Sequence, residues 1–321
     1  MSSAFCDCPQ CGTRNSLFNP RCIGCGERLL EGSDRTAEKP QLPDLEAPSE
    51  APHVIGGYTI VALVGSGSSA RVFAAYDSDS RQPVLLKVMR PELLGSDEAR
   101  KRFSREARAL SRVDHPNVGR MLAVLEAPSP TLVLEVAAGR TLEDMLALGR
   151  IGGREAVQLL AQLAAALEAL HTHGIVHRDV KPANIVVSDA LELKLIDLGL
   201  ARMLEHRPGT FRTAAGTVLG SLAYAAPEVV MGERGEAPAD CWSLGVVAFE
   251  LAMGQRPFDA PSRVALAAAI VAHQAGGLTA EGPLAELVQL SLKPEPAARA
   301  TARELATALD AAQKSRSEGS S

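Results

Sequence analysis

The sequence predicts an α+β chain, and three observations carry that prediction. Apolar runs at Tyr58–Val64, Val84–Val88 and Leu132–Val136 read as strands in the first half of the chain. From about Val157 the apolar spacing turns helical, and strands followed by helices mark the α+β class. A third segment stands apart, because five of the six cysteines lie within the first 25 residues. The organisation that follows is a cysteine-rich ribbon at 1–30, a disordered linker at 31–55, the main domain at 56–313 and a polar tail at 314–321.

Bulk properties bound the function. A chain of 321 residues that is 46% hydrophobic can bury a sizeable core. Its net charge of −5 supplies no general attraction to nucleic acid or anionic membrane. No apolar run reaches the roughly 20 residues that a membrane-spanning helix needs. The Ala-rich stretch from Val157 to Leu170 is interrupted by Gln158, Gln162 and Glu168, so it reads as a soluble helix. Cysteines stand where a signal peptide would place its apolar core. A cytoplasmic protein is expected, with no nucleic-acid partner and no membrane span.

Residues 8 to 26 read CPQCGTRNSLFNPRCIGCG. Cys8 and Cys11 form one Cys-x-x-Cys pair and Cys22 and Cys25 a second, each followed by glycine (Gly12, Gly26). Two such knuckles make a closed four-thiolate zinc site with no open position, which is structural rather than catalytic. A redox or disulfide role is the competing reading, disfavoured for a cytosolic chain. Cys6 reads as a spare thiol and Cys241 as a buried one. So short a segment buries little core, so zinc supplies most of its folding energy. Arg14, Arg21 and Arg28 are too sparse for nucleic acid. The ribbon is therefore either a protein-docking module or an inert cap.

The linker carries Pro40, Pro43, Pro48 and Pro52 among Ser, Glu and Asp, without apolar periodicity. The main domain opens near Gly56, and its first strand runs into GSGSSARV, Gly65 to Val72. Gly65, Ser66 and Gly67 form a turn whose backbone can close over phosphates, and Val72 can pack on a base. In VLLKV, Lys87 lies among apolar neighbours, and a buried lysine is costly unless paired. A helix over Lys101–Val113 supplies a partner. Phe103, Ala107 and Leu110 mark its apolar face, Glu106 sits at the edge of that face, and Lys101, Arg105, Arg108 and Arg112 lie opposite. A solvated helix with an incidental glutamate is the bland alternative.

Beyond the strand Leu132–Val136, the small-residue connection Ala137–Arg140 leads into helical sequence. Val157, Leu160, Ala164, Leu167 and His171 mark one long helix, ended by Gly174. His171 and His173 read as ordinary helix-end residues. HRDVKPAN, His177 to Asn184, then puts a carboxylate (Asp179), a cation (Lys181) and an amide (Asn184) on one short loop. That set suits phosphoryl transfer, where catalysis is mostly positioning and electrostatics. The strand Leu193–Ile196 delivers Asp197 beside Gly199, where a carboxylate can reach magnesium. About thirty loop-like residues follow, up to Ala226-Pro227-Glu228, and a loop of that length is usually functional. The helix from Asp240 and a last helix, Ala300 to Ala311, complete the chain.

Taken together, residues 57 to about 312 resemble a bacterial, eukaryotic-like Ser/Thr protein kinase domain, from glycine loop to final helix. The resemblance implies a two-lobed kinase fold, with a small β-rich lobe carrying one helix and a larger helical lobe. It implies ATP and Mg²⁺ as cofactors and protein substrates as partners. Asp179 is then the catalytic base, Lys181 neutralises the transferring phosphoryl group, and Asn184 and Asp197 hold magnesium. Lys87 with Glu106 holds the ATP phosphates, Leu134 is the gatekeeper, and the Glu135–Ala137 backbone meets adenine at the hinge. Ser221 helps to position the catalytic loop, Glu228 pairs with Arg299, and Asp240 braces the loop backbone. Arg178 before the catalytic Asp implies activation by autophosphorylation on Thr213 or Thr217, ahead of Thr210, with Arg178 and Arg202 as receivers. Three positions depart from the pattern: Leu198 replaces the usual Phe, Ala70 the third loop glycine, and Leu85 the small residue that roofs adenine. The competing expectations are a pseudokinase scaffold, which a tight pocket under Leu85 leaves open, and a small-molecule kinase, which the full activation segment disfavours.

Overall fold

The structure is a computed structural model. It describes residues 5–7, 10, 14–16, 54–66, 70–126, 129–149, 151–197, 219–273 and 283–318. Cys8, Cys11, Cys22, Cys25, Gly67, Leu198, Gly199, Arg202, Thr210, Thr213 and Thr217 lie outside the described residues, as do the linker up to residue 53 and the side chain of Glu106. The chain divides into two compact units, Met1–Ser111 with Arg120–Gly139 and Arg112–Gly119 with Arg140–Ser321. No helix among the described residues is long and apolar enough to cross a membrane.

In the first unit, β1 (Phe5–Asp7) and β2 (Arg14–Ser16) form an antiparallel hairpin. The main sheet comprises β3 (Val54–Ile55), β4 (Tyr58–Ser66), β5 (Ala70–Asp77), β6 (Pro83–Met89), β7 (Met121–Leu125) and β8 (Thr131–Glu135). Its order is β3-β4-β5-β6-β8-β7, antiparallel throughout. The sheet begins two residues ahead of the Gly56 boundary because Gly56 and Gly57, at φ 54 and 87, make a two-residue turn that folds β3 onto β4. Paired positive φ values match the strand twist there, and glycine adopts them without a Cβ clash. One sheet face is a closed apolar cluster including Ile60, Phe73, Val84, Leu86 and Val133. The single helix of this unit, α1 (Asp97–Leu110), is capped by Ser96, whose Oγ accepts the Ala99 N–H at 3.2 Å. Phe103, Ala107 and Leu110 are buried on it, and Lys101 and Arg108 are exposed, as the periodicity predicts.

The second unit is mostly helical. Thr141, in the short strand β9 (Arg140–Thr141), caps α2 (Leu142–Leu148) by accepting the Asp144 N–H at 3.1 Å. The long helix α3 (Gly153–Thr172) buries Val157, Leu160, Ala164 and Leu167, and the chain turns at Gly174, φ 69. Strands β10 (Ile185–Val187) and β11 (Leu193–Leu195) pair antiparallel, with β9 on the far side of β10. Then follow α4 (Leu219–Leu222), α5 (Pro227–Val230), α6 (Ala237–Met253), α7 (Arg263–Val271), α8 (Pro283–Ser291) and α9 (Ala302–Glu318). Helix α6 is apolar all round and buried almost throughout, the pattern of a core helix. Its Gly245 lets α8 approach so closely that a Cβ there would stand 2.5 Å from the Ser291 Cβ. Cys241 is buried, and burial pushes its thiol up to about 12, so it is an inert packing residue. The last helix runs through Lys314 to Glu318, where a polar tail is expected, because a helix already nucleated extends at little cost into residues that tolerate it.

Candidate active site

Cross-strand pairing decides what the small unit offers. Lys87 lies opposite Val72 on one side and Leu132 on the other. Two residues along, Leu85 lies opposite Ala74 and Leu134. Side chains two apart share a sheet face, so Val72, Lys87, Leu85 and Leu134 form one surface, opposite the closed apolar cluster. Lys87 is 5% exposed. Leu85, expected as adenine roof, and Leu134, expected as gatekeeper, are direct neighbours there. Glu135 donates its N–H to the Arg120 carbonyl at 3.0 Å and accepts the Arg120 N–H on its carboxylate at 2.7 Å. Its own side chain is thereby tied back along the sheet. Gly65 and Ser66 end β4, with Gly65 packed against Val72.

The large unit builds the loop from buried anchors outward. Asp240, 1% exposed on α6, accepts the backbone N–H groups of His177 at 2.8 Å and Arg178 at 2.7 Å. Its Oδ2 also meets His171 Nε2 at 2.9 Å. Three groups thus converge on one carboxylate, and they fix a turn in which Arg178 has φ 64, a left-handed value uncommon for a side-chain-bearing residue. The Arg178 side chain donates through Nε to the Gly235 carbonyl at 2.8 Å.

His177 is fully buried, and desolvation holds its pKa below the usual histidine range. Because the Asp179 N–H can only donate, His177 Nδ1 accepts it at 3.3 Å, and Nε2–H donates to the Ile196 carbonyl at 3.1 Å. One neutral imidazole therefore joins the backbone of Asp179 to the residue before Asp197. A second link runs through Ile196, whose N–H donates to the Asn184 carbonyl at 2.9 Å. The hairpin of β10 and β11 thus sets Asn184 beside Ile196, the residue before Asp197. Asp197 is also left-handed, at φ 55.

Asp179 Oδ2 accepts from Lys181 Nζ at 2.8 Å and from Asn184 Nδ2 at 3.0 Å, and Asn184 Nδ2 also donates to the Asp179 carbonyl at 2.8 Å. Both amide hydrogens of Asn184 are committed to Asp179, which turns its amide oxygen the other way. An amide oxygen so turned, and a carboxylate at Asp197 one residue beyond Ile196, are oxygen donors of the kind magnesium takes. Lys181 Nζ donates in addition to Ser221 Oγ at 3.0 Å, so the loop is fastened to α4.

Two further pairs frame this centre. Arg299 grips Glu228 through its two terminal guanidinium nitrogens at 2.7 and 2.8 Å, and both residues are buried. Its remaining donors go to the carbonyls of Lys293, Pro238 and Pro294, and its guanidinium lies 5.0 Å from the Trp242 ring centroid. Beside the loop opens a cavity of about 670 Å³, bordered by Lys181 and Ser221 together with Glu143, Tyr224, Glu250 and Arg256. Tyr224 donates to Glu250 Oε2 at 2.6 Å. Burial pushes the pKa of both groups up, more than neighbouring charges do.

Three features escape the sequence reading. His171 is not an ordinary helix-end residue, since it shares Asp240 with the loop. Its place on the buried stripe of α3 was the available signal, because a polar group there requires a partner. Gln162 accepts from Asn117 Nδ2 at 2.9 Å and from the Leu193 N–H at 2.8 Å, and so holds the strand that delivers Asp197. The Tyr224–Glu250 pair, from residues 26 apart in sequence, carried no local signal.

Comparison with known proteins agrees with this geometry. The protein kinase domain family matches residues 58–309. The chain is 36% identical over 221 residues to the serine/threonine-protein kinase PknB of Mycolicibacterium smegmatis, covering 67% of this chain and 35% of the relative. It is 32% identical over 253 residues to the serine/threonine-protein kinase PknA of Mycobacterium tuberculosis, covering 76% of this chain and 58% of the relative. A probable serine/threonine-protein kinase PknB of Lactococcus lactis is 34% identical over 213 residues, 65% of this chain and 34% of the relative. The chain thus spans between about a third and three fifths of the length of these curated relatives. With the family match running from β4 to α9 and the loop residues held as described, the chain belongs to the protein kinase domain family.

Proposed function

We propose that this chain is an ATP-dependent protein serine/threonine kinase. The observation that carries the reading is the fastening of Asp179, Lys181, Asn184 and Ser221 into one hydrogen-bonded set. A carboxylate whose Oδ2 takes two donors has a fixed plane, so Asp179 presents its other oxygen in a set direction to an incoming hydroxyl. Asp179 orients that hydroxyl and takes its proton as the oxygen attacks. Lys181, already beside Asp179, neutralises charge that develops during transfer. Lys87 binds phosphate oxygens from the face it shares with Val72, and Leu85 and Leu134 bound the adenine. Asn184 and Asp197 hold magnesium, which when bound neutralises the phosphates and polarises the group being transferred. The names of the relatives and the Lys181–Ser221 bond favour serine and threonine as acceptors. The cavity beside Lys181 receives the acceptor segment.

The test compares phosphate incorporation from ATP and Mg²⁺ into a Ser/Thr-containing protein substrate by the native chain and by Asp179→Asn. Activity in the native chain with a loss of 10³-fold or more in the variant is expected. Equal incorporation by both overturns the role of Asp179, and none by either favours a partner-binding scaffold. Phosphate on Thr213 or Thr217 after incubation supports control by autophosphorylation, and its absence from the 198–218 segment refutes it.

The N-terminal segment is proposed as a structural zinc ribbon on Cys8, Cys11, Cys22 and Cys25, with a docking role toward protein partners. Its support is the spacing of the thiols and the hairpin of β1 and β2, whose strands bracket the first Cys-x-x-Cys pair. A cytoplasmic setting suits both reduced thiolates and ATP. One zinc per chain by elemental analysis, lost in Cys22→Ser/Cys25→Ser, is the expected result. Deleting residues 1–30 should then reduce partner capture, and unchanged capture leaves the ribbon a cap.

A further inference from the structure

The turn that covers the phosphates carries a second set of groups, on the side away from them. Ser66, the last residue of β4, is exposed and lies directly opposite Arg71 in the β4–β5 register. Arg71 in turn lies opposite Val88 of β6, so Ser66 and Arg71 belong to the face of Val88 and not to that of Val72 and Lys87. Arg90 follows two residues after Val88 with an extended backbone, ψ 141, which keeps it on that same face. It reaches back across the sheet, and its Nη2 donates to Ser66 Oγ at 2.7 Å. A hydroxyl at the rim of the nucleotide turn is therefore held by one guanidinium, and a second arginine stands directly across the strand pair.

An arginine pair around an exposed serine is a receptor for a dianionic group. We propose that Ser66 is a phosphorylation site whose phosphate is clamped by Arg90 and Arg71, fixing the end of β4. The proposal rests on the kinase reading, since a second copy of this chain supplies the phosphoryl group. Ser66 Oγ forms a bond to the γ-phosphorus of ATP as the bond from that phosphorus to the β,γ-bridging oxygen breaks. ADP leaves, and the hydroxyl proton passes to Asp179 of the copy that catalyses the step. Because the phosphate projects from the face opposite Lys87 and two cations answer its charge, its effect on nucleotide binding is one of order, not of repulsion. The end of β4 gains charge-assisted bonds to Arg71 of β5 and to Arg90 just past β6, so that Gly65 and Ser66 are held in place. Affinity for ATP rises.

The experiment incubates the full chain with ATP and Mg²⁺, maps phosphate by mass spectrometry with site localisation, and compares KM for ATP before and after phosphatase treatment. Phosphate on Ser66 is expected, with a KM roughly three- to tenfold lower in the phosphorylated protein. In Ser66→Ala and in Arg71→Gln/Arg90→Gln the phosphatase-dependent shift should shrink below twofold. Phosphate elsewhere in the chain but none on Ser66 overturns this inference and leaves the kinase reading intact. So does Ser66 phosphate with a KM shift that survives in both variants. No phosphate at any residue of the chain overturns this inference, and transfer to an added Ser/Thr-containing protein substrate then decides the kinase reading separately.

Discussion

Replacing Asp240 by asparagine tests how far catalysis depends on a residue remote from the reacting atoms. The carboxylate meets three groups, the N–H of His177 at 2.8 Å, the N–H of Arg178 at 2.7 Å and His171 Nε2 at 2.9 Å. Asparagine keeps the shape but has a single acceptor oxygen. If that oxygen serves His177 and His171, the new amide NH₂ confronts the Arg178 N–H, donor against donor. A hydrogen bond to a charged group is worth about 1.5–3 kcal/mol, and the left-handed Arg178 stores roughly 1–3 kcal/mol of strain that this bond helps to hold. The active loop then becomes a minor conformer, by a factor of roughly 10 to 150. We expect kcat to fall about 10- to 100-fold with KM for ATP within about twofold, since Lys87 is untouched. Urea unfolding followed by fluorescence of Trp242, the only tryptophan and fully buried two residues from Asp240, gives the stability side, with an expected loss of about 1.5–3 kcal/mol. A kcat within twofold of native, or a fall in kcat matched by a rise in KM, would refute the reasoning.

Four other outcomes are expected. Arg299→Met leaves Glu228 as a buried unpaired carboxylate and should lower the stability read by Trp242 by about 3–5 kcal/mol, with Glu228→Leu/Arg299→Met recovering part of it; equal effects of single and double variants would contradict the pairing. Glu250→Gln, beside the cavity, should raise KM for a protein or peptide acceptor at least threefold without changing KM for ATP, as initial-rate kinetics can separate. Leu85→Ala should lower KM for ATP severalfold and admit bulkier adenine analogues, and no change in either would take Leu85 out of the adenine surface. Burial lowers the pKa of His177, and likewise of His115 and His273, so the unfolded chain takes up protons first as pH falls. Their contribution is complete above about pH 6.5 and is lost progressively below it toward the lowered folded values. The urea midpoint should therefore drop between pH 7.5 and 5.5, less steeply in His177→Asn; an equal slope in the two proteins would exclude His177 as a contributor.

Local chemistry made much of the site readable. HRDVKPAN places Asp179, Lys181 and Asn184 within six residues, so one turn sufficed to bring them together, and the Ser221 and Asp240 anchors followed from the family resemblance. Helical spacing located α1 and the buried stripe of α3, because amphipathic helices write their packing face into the sequence at a fixed period. Strand β7 was missed for the converse reason. It is an edge strand whose Leu122 and Val124 are exposed, so its apolar residues fall on both faces and alternation fails. Gln162 shows a subtler limit. Within its helix it reads only as an interruption of apolar sequence, and its purpose appears when Asn117 and Leu193, 45 residues before and 31 residues after, arrive beside it. Non-local polar networks carry no period, and partners for buried polar groups have to be found in space.

The left-handed backbones of Arg178 and Asp197 have a consequence for how this loop tolerates change. Each resembles a bent spring, kept in tension by surroundings that include Asp240 at one residue and the Asn184–Ile196 hydrogen bond next to the other. Glycine would relax the spring at Arg178 at no steric cost. A selection for heat resistance alone could therefore favour Arg178→Gly, and the same change would slacken the segment that aims Asp179. Durability and aim are set against one another at a single dihedral angle.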